Sequence, residues 1–319
     1  MNRSSQFIIG TITGAAGILG TKSNYQFQRD LQIAEQRLKE QRKIVKTKIG
    51  QIVYGSQGDG TPVLVIHGAG GGFDQALHVA GMFGQGFQWI APSRFGYLGT
   101  PLPNEASPEA QADAHVALLD ALEIERAPII GLSAGGPSSL YFALRYPERC
   151  TGLVMVSAIS KAMIDVASNS EVMEKLLNYF LANDWLIWLG MQLAIHKIIA
   201  PMGVPMQVIK SLDKQDTKWL QELLKDILPV QPRRSGLIND FSQVYKLDIF
   251  PADQISAPTL IIHAQDDSLV SIKQGRFSAK LIPHAKLVEL PRGGHLLLGQ
   301  REGVNSEVQS FLKRVTSEM

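Results

Sequence analysis

The chain is short of several things that would decide its class at once. It has one cysteine, Cys150, in 319 residues. No disulfide can form within it, and a cysteine-built zinc site is excluded. Net charge is nearly absent, with 31 Lys and Arg against 29 Asp and Glu. The electrostatic footprint of a nucleic-acid binder is therefore missing. There is no internal repeat and no low-complexity tract. No uninterrupted apolar run reaches the ~17–25 residues of a spanning helix. What is present is apolar residue in quantity, 45% of the chain, enough to bury a sizeable core and to exclude disordered or collagen-like chains. At ~150 residues per domain, the length allows one large domain or two smaller ones.

The charge is uneven. The first fifty residues hold nine Lys or Arg against Asp30, Glu35 and Glu40, and the remainder is mildly acidic. Residues 1–47 therefore read as an appendage. It opens with the uncharged, apolar segment 7–20, which four glycines interrupt. Two readings stand: a signal or membrane anchor, with Ala15-Ala16-Gly17 as a weak cleavage site, or an N-terminal tail. As an anchor, the basic residues Lys22, Arg29, Arg37 and Lys39 would hold the downstream domain in the cytoplasm. The expected location is thus cytoplasmic, or membrane-associated through this segment. From Asp30 to about Val45, an N-cap residue precedes apolar positions at helical spacing, which predicts a basic amphipathic helix.

From residue 48 the pattern changes. Short apolar runs at Pro62–Ile66, Gln88–Ala91, Pro128–Leu132, Gly152–Ser157, Thr259–His263 and Lys286–Leu290 predict strands, most of them buried on both faces. Helical stretches at Ser107–Leu122, Gly136–Arg145, Lys273–Leu281 and Asn305–Arg314 separate them. This alternation predicts an α/β fold with a mostly parallel sheet covered by helices on both faces. The core is read as residues 48–158 and 259–319. Between its halves, residues 159–258 are mostly helical, as at Glu171–Leu181, Trp185–Ala200 and Asp216–Ile227. This is read as an inserted cap over the carboxyl edge of the sheet, where ligands bind in open α/β folds.

Three points at the carboxyl ends of predicted strands carry chemistry. Gly131-Leu132-Ser133-Ala134-Gly135 joins a buried strand to a helix. There, small flanking residues permit a turn tight enough to expose Ser133 as a nucleophile. Serine needs a base, and the base needs an orienting acid. Of seven histidines, His295 follows the last strand in a Gly293-Gly294-His295 loop able to reach back to Ser133. The other six (His67, His78, His115, His196, His263 and His284) are expected to be structural. The acid is expected after the penultimate strand, where Asp266 and Asp267 are adjacent. Asp267 is the preferred partner of His295, leaving Asp266 to cap the turn. The third point is His67-Gly68-Ala69-Gly70-Gly71-Gly72. Its backbone N–H groups are candidates for an oxyanion hole built from Ala69 and Ala134, with Gly70 as the substitute for Ala69. A phosphate-binding loop is the competing reading, but the glycine spacing and the Lys-Ser/Thr ending it needs are missing.

These motifs, in this order, resemble the α/β-hydrolase fold superfamily from about residue 48 to the C-terminus. Ser93-Arg94-Phe95-Gly96-Tyr97-Leu98-Gly99-Thr100 is similar to the family's Asp-x-Arg-Gly-x-Gly-x-Ser stretch, departing at Ser93 and Phe95. Serine at the nucleophile position separates the chain from branches that carry aspartate there. The resemblance implies a serine hydrolase, carboxylesterase- or lipase-like, acting on a small-molecule substrate without cofactor or metal. It also leaves open carbon–carbon hydrolysis, cofactor-free perhydrolysis, and a binding or scaffold protein that keeps the fold without turnover. Trp185, Trp188 and Met191 are expected to wall an acyl pocket above Ser133; packing of the cap is the competing role. Oligomeric state is not legible in the sequence.

Overall fold

The computed structural model describes residues 23–163, 182–247 and 251–317. The apolar segment 7–20 and the cap helix expected at 171–181 lie outside the described residues. By compactness the chain divides into two units, Met1–Glu40 and Gln41–Met319. Every described residue of the first is helical, in a helix (α1) over residues 23–41. Among the described residues, no helix is long and apolar enough to cross a membrane.

The helix expected from Asp30 to Val45 therefore begins earlier and ends sooner. Strand β1, Lys43–Thr47, follows and pairs antiparallel with β2, Gly50–Gln57. The hairpin turn is closed by Thr47 Oγ1, which donates to Gly50 O at 2.8 Å. Val45 thus belongs to the sheet, and the sheet starts five residues before the expected boundary at residue 48. Ile44 and Val45 are β-branched and suit a strand, while Lys43 and Lys46 blunt its outer edge.

The second unit is an eight-stranded sheet in the order β1-β2-β4-β3-β5-β6-β7-β8. The further strands are β3 (Thr61–Ile66), β4 (Phe87–Pro92), β5 (Ala127–Leu132), β6 (Cys150–Val156), β7 (Thr259–Ala264) and β8 (Lys286–Leu290). From β4 to β8 in the sheet order every neighbouring pair is parallel, and β2 alone is reversed, running against both β1 and β4. Every residue of β5 and β7 is buried, as strands covered on both faces must be. The crossovers are α2 (Phe73–Ala80), α3 (Pro108–Ala121), α4 (Gly136–Arg145) and, late in the chain, α9 (Lys273–Leu281); α10 (Arg301–Thr316) follows the last strand.

Between β6 and β7 the described chain is helical: α5 (Asp184–Ile199), α6 (Met206–Lys210), α7 (Lys214–Lys225) and α8 (Arg234–Gln243). The apolar residues Ile199, Val204, Trp219, Leu220 and Leu224 of this inserted cap cluster with Leu298 of the core, and Val79 and Leu296 pack against them. The cap is tied to the sheet by two buried ion pairs of opposite sense. Arg233 of the cap reaches Asp74 of α2 at 2.7 Å, and Asp240 of α8 takes Arg94, beyond β4, at 2.6 Å. The topology turns at β3, which has β4 on one side and β5 on the other. Loops leaving β3 and β5 therefore diverge and open a crevice at the carboxyl edge.

Candidate active site

Ser133 is the first residue after β5 and sits at φ +49°. Holding a non-glycine residue in this left-handed region costs about 1–3 kcal/mol, so surrounding contacts must enforce it. They do so through close approach. A β-carbon at Gly131 would lie 2.7 Å from Ser139 Oγ, and one at Gly135 only 2.5 Å from Ile66 O. Glycine at both positions lets α4 begin directly against the end of β3 and leaves Ser133 partly exposed at the crevice.

His295 lies on the loop after β8. Its Nε2 is 2.9 Å from Ser133 Oγ, and its Nδ1 is 2.8 Å from Asp267 Oδ2. A carboxylate can only accept, so the ring proton sits on Nδ1, and Nε2 is left to accept from the serine hydroxyl. The Asp267 carboxylate is fully buried. Its other oxygen accepts the N–H groups of Leu269 and Val270, both at 2.9 Å. His263 Nε2 stands 3.2 Å from Oδ2. Burial alone would raise the Asp267 carboxyl. Hydrogen bonds from His263, His295 and Val270 N–H outweigh it and hold the group below the ordinary carboxylate range.

Asp266 faces the other way. Its carboxylate accepts the backbone N–H of Gly294 at 2.8 Å and of Gly293 at 3.3 Å. It therefore fixes the loop carrying His295 rather than the ring itself. The cap holds the same loop from the far side, where His295 N–H donates to Gly203 O at 3.0 Å.

The glycine loop 67–72 leaves β3 beside the serine. Ala69 is exposed at the crevice. Gly70, expected as the alternative donor, gives its N–H to Tyr97 Oη at 3.1 Å. His67 is buried and accepts the Arg94 N–H on Nε2 at 3.0 Å. Its Nδ1 therefore carries the proton and donates to Gly68 O at 2.7 Å.

Of the residues expected at the site, Ser133, Asp267 and His295 are brought into one hydrogen-bonded line. The expected pocket wall is placed differently from those three. Met191 packs against the cluster that the cap shares with Leu298 of the core, Trp188 is buried, and Trp185 is 36% exposed. The side chains clustered with Ala134 are Ile159 and Val270, joined by Met163, Val244 and Leu247. Sequence reasoning missed Arg94, Tyr97, Asp240, Arg233 and Asp74 as contributors. Arg94 and Tyr97 lie in a stretch whose family likeness was visible; the cap residues carry no motif.

Two buried histidines make the fold sensitive to acid. Burial, with the Arg94 charge nearby, pushes His115 down to about 3 and holds His67 well below its ordinary value. The unfolded chain, with histidines near ~6.5, takes up these protons first as pH falls. Their contribution is thus complete above ~6.5 and lost below it, by up to ~1.4 kcal/mol per pH unit for each group. The urea midpoint should fall steadily from pH 6.5 to pH 4.5, and less steeply in His115→Gln. A midpoint unchanged across that range contradicts the assignment.

A partly exposed serine on a strand–helix elbow, a histidine loop and a buried carboxylate at the edge of a parallel sheet define an α/β hydrolase. Residues 61–302 match the α/β hydrolase fold family, and the chain belongs to it. It is a hydrolase by class. It is 30% identical over 257 residues to the uncharacterized hydrolase YcgS of Bacillus subtilis (strain 168), covering 78% of this chain and 89% of that one. It is 28% identical over 257 residues to a 2-hydroxymuconate semialdehyde hydrolase of Pseudomonas putida, covering 75% and 82%. Among solved structures, an α/β hydrolase fold protein from Nakamurella multipartita superposes with a TM-score of 0.72 at 29% identity, covering 85% of this chain and 99% of that one.

Proposed function

We propose that the chain hydrolyses an ester-type bond of a small, apolar substrate through an acyl-enzyme. Ser133 is the nucleophile, His295 the base and Asp267 the orienting acid. The observation that carries this reading is the continuous line from Ser133 Oγ through the His295 ring to Asp267 Oδ2, at 2.9 and 2.8 Å. His295 Nε2 takes the hydroxyl proton as Oγ attacks the carbonyl carbon. The negative charge that forms on the carbonyl oxygen is met by the N–H groups of Ala134 and Ala69. Collapse expels the alcohol, which takes the proton from His295, and water repeats the sequence to release the acid. A binding-only protein has no need of a buried, ionised acid aligned on a histidine and a partly exposed serine.

The acyl group lies against Ile159, Met163, Val244, Leu247 and Val270, the aliphatic cluster around Ala134. Each methylene buried there contributes up to ~0.8 kcal/mol. kcat/KM on 4-nitrophenyl esters should rise with acyl length until the space fills, and Leu247→Ala should move the optimum. If instead Trp188→Ala moves it and Leu247→Ala does not, the wall is the tryptophan helix expected from sequence. A flat profile in the unmodified chain overturns the apolar pocket. The name of the Pseudomonas putida relative favours a second reading, cleavage of a 2-hydroxymuconate semialdehyde-type substrate by the same serine. Including that compound beside the esters decides between them.

A further inference from the structure

The glycine loop is anchored on both sides of Ala69. Arg94 Nε donates to His67 O at 3.0 Å, and Arg94 N–H to the His67 ring. Arg233 Nη1 donates to Gly71 O at 2.8 Å, and Gly71 N–H turns back to Gly68 O at 3.3 Å. Gly70 N–H donates to Tyr97 Oη. Ala69 N–H, between these anchors, has no acceptor among the described residues.

The Tyr97 contact has a direction imposed from the cap. Asp240 of α8 accepts both Arg94 terminal nitrogens at 2.6 Å and the Tyr97 hydroxyl at 2.5 Å. Tyr97 is wholly buried, and Asp240 nearly so. Burial and the neighbouring carboxylate raise the Tyr97 hydroxyl well above its ordinary value, so it keeps its proton. That single proton is committed to Asp240, so the oxygen can only accept from Gly70. Gly70 has φ +72° and open space where a β-carbon would stand, and the bond to Tyr97 is the one hydrogen bond that the Ala69–Gly70 peptide makes among the described residues.

We propose that Tyr97 and Asp240 are positioning residues for the oxyanion hole: by occupying Gly70 N–H they leave Ala69 N–H as the donor and fix its aim. The proposal rests on Ser133 acting as the nucleophile. The cap then supplies more than a wall, because its carboxylate completes the donor geometry of the core. Donors of this kind act on charge that exists only in the transition state, so misaiming one lowers kcat and leaves KM nearly unchanged. Loss of a whole oxyanion donor costs ~10²–10³ in rate, and a donor left in place but loosely aimed should cost roughly 10- to 100-fold.

The test uses Tyr97→Phe in the full chain. It removes one oxygen and keeps the Arg94–Asp240 pair, so the fold is retained. Asp240→Asn is the second variant and acts from the other end of the same relay. Two rates are read under conditions where circular dichroism shows each protein folded: labelling of Ser133 by a fluorophosphonate, and kcat and KM on 4-nitrophenyl acetate. The expected result is slower labelling and a lower kcat in both variants, with KM within about two-fold of the unmodified chain. A merely structural role would lower the unfolding midpoint and leave both rates intact, which overturns the proposal. A rise in KM with kcat unchanged overturns it also, by assigning Tyr97 to substrate binding. If the unmodified chain is not labelled at Ser133, the nucleophile assignment fails first, a result visible without either variant.

Discussion

Ser133→Ala should abolish fluorophosphonate labelling and reduce hydrolysis by on the order of 10⁴–10⁶, the loss seen when a member of such a triad is removed. The folded fraction should not fall with it. Position 133 sits at φ +49°, a conformation that costs alanine and serine alike, and alanine deletes only an oxygen whose one hydrogen-bond partner among the described residues is the His295 ring. Mass spectrometry of the labelled peptide locates the modified residue, and a label on another serine would transfer the role. Activity surviving at more than a few per cent would show that water can be activated by His295 alone, and the acyl-enzyme would have to be abandoned.

The second large effect separates the adjacent aspartates. Asp267→Asn keeps the shape but presents an amide to His295 Nδ1. The amide can turn its N–H₂ toward the ring and stabilise the wrong tautomer, and no negative charge remains to balance the imidazolium. A loss of ~10⁴ in kcat is expected. Asp266→Asn touches only two backbone N–H groups of the histidine loop, at 2.8 and 3.3 Å. A hydrogen bond of this kind is worth ~1 kcal/mol net, about a five-fold change in how often the loop is correctly placed. Kinetics of the two variants side by side give the answer, and equal losses would mean that loop order, not the charge on Asp267, limits the reaction.

The elbow and the order of serine, aspartate and histidine were legible because the chain there has few alternatives. A turn with Ile66 O only 2.5 Å from a would-be β-carbon admits glycine alone, and a buried parallel strand must be continuously apolar. Those constraints are local, so they appear as short motifs. The relay from Gly70 through Tyr97 to Asp240 spans contacts 27 and 143 residues apart. Nothing near Asp240 distinguishes it from a solvated helix aspartate, because its burial is decided by the partner it meets. The Lys43–Thr47 strand was missed for a related reason. A single edge strand carrying lysines has no strong period of two, and its apolar residues also fit a helical spacing.

The two cap ion pairs make this enzyme a poor recipient for a transplanted cap. Arg94 belongs to the core and its carboxylate to the insertion; for Arg233 and Asp74 the ownership is reversed. A foreign insertion that covers the same edge, but lacks a carboxylate at position 240 and a guanidinium at 233, buries one orphaned charge of each sign beneath it. Each orphan costs about 3–5 kcal/mol, and together they match the whole stability of many domains, ~5–15 kcal/mol. Recombination within the family can therefore exchange caps here only when both halves of both pairs travel together, so this insertion and this sheet are bound to diverge as one inheritance.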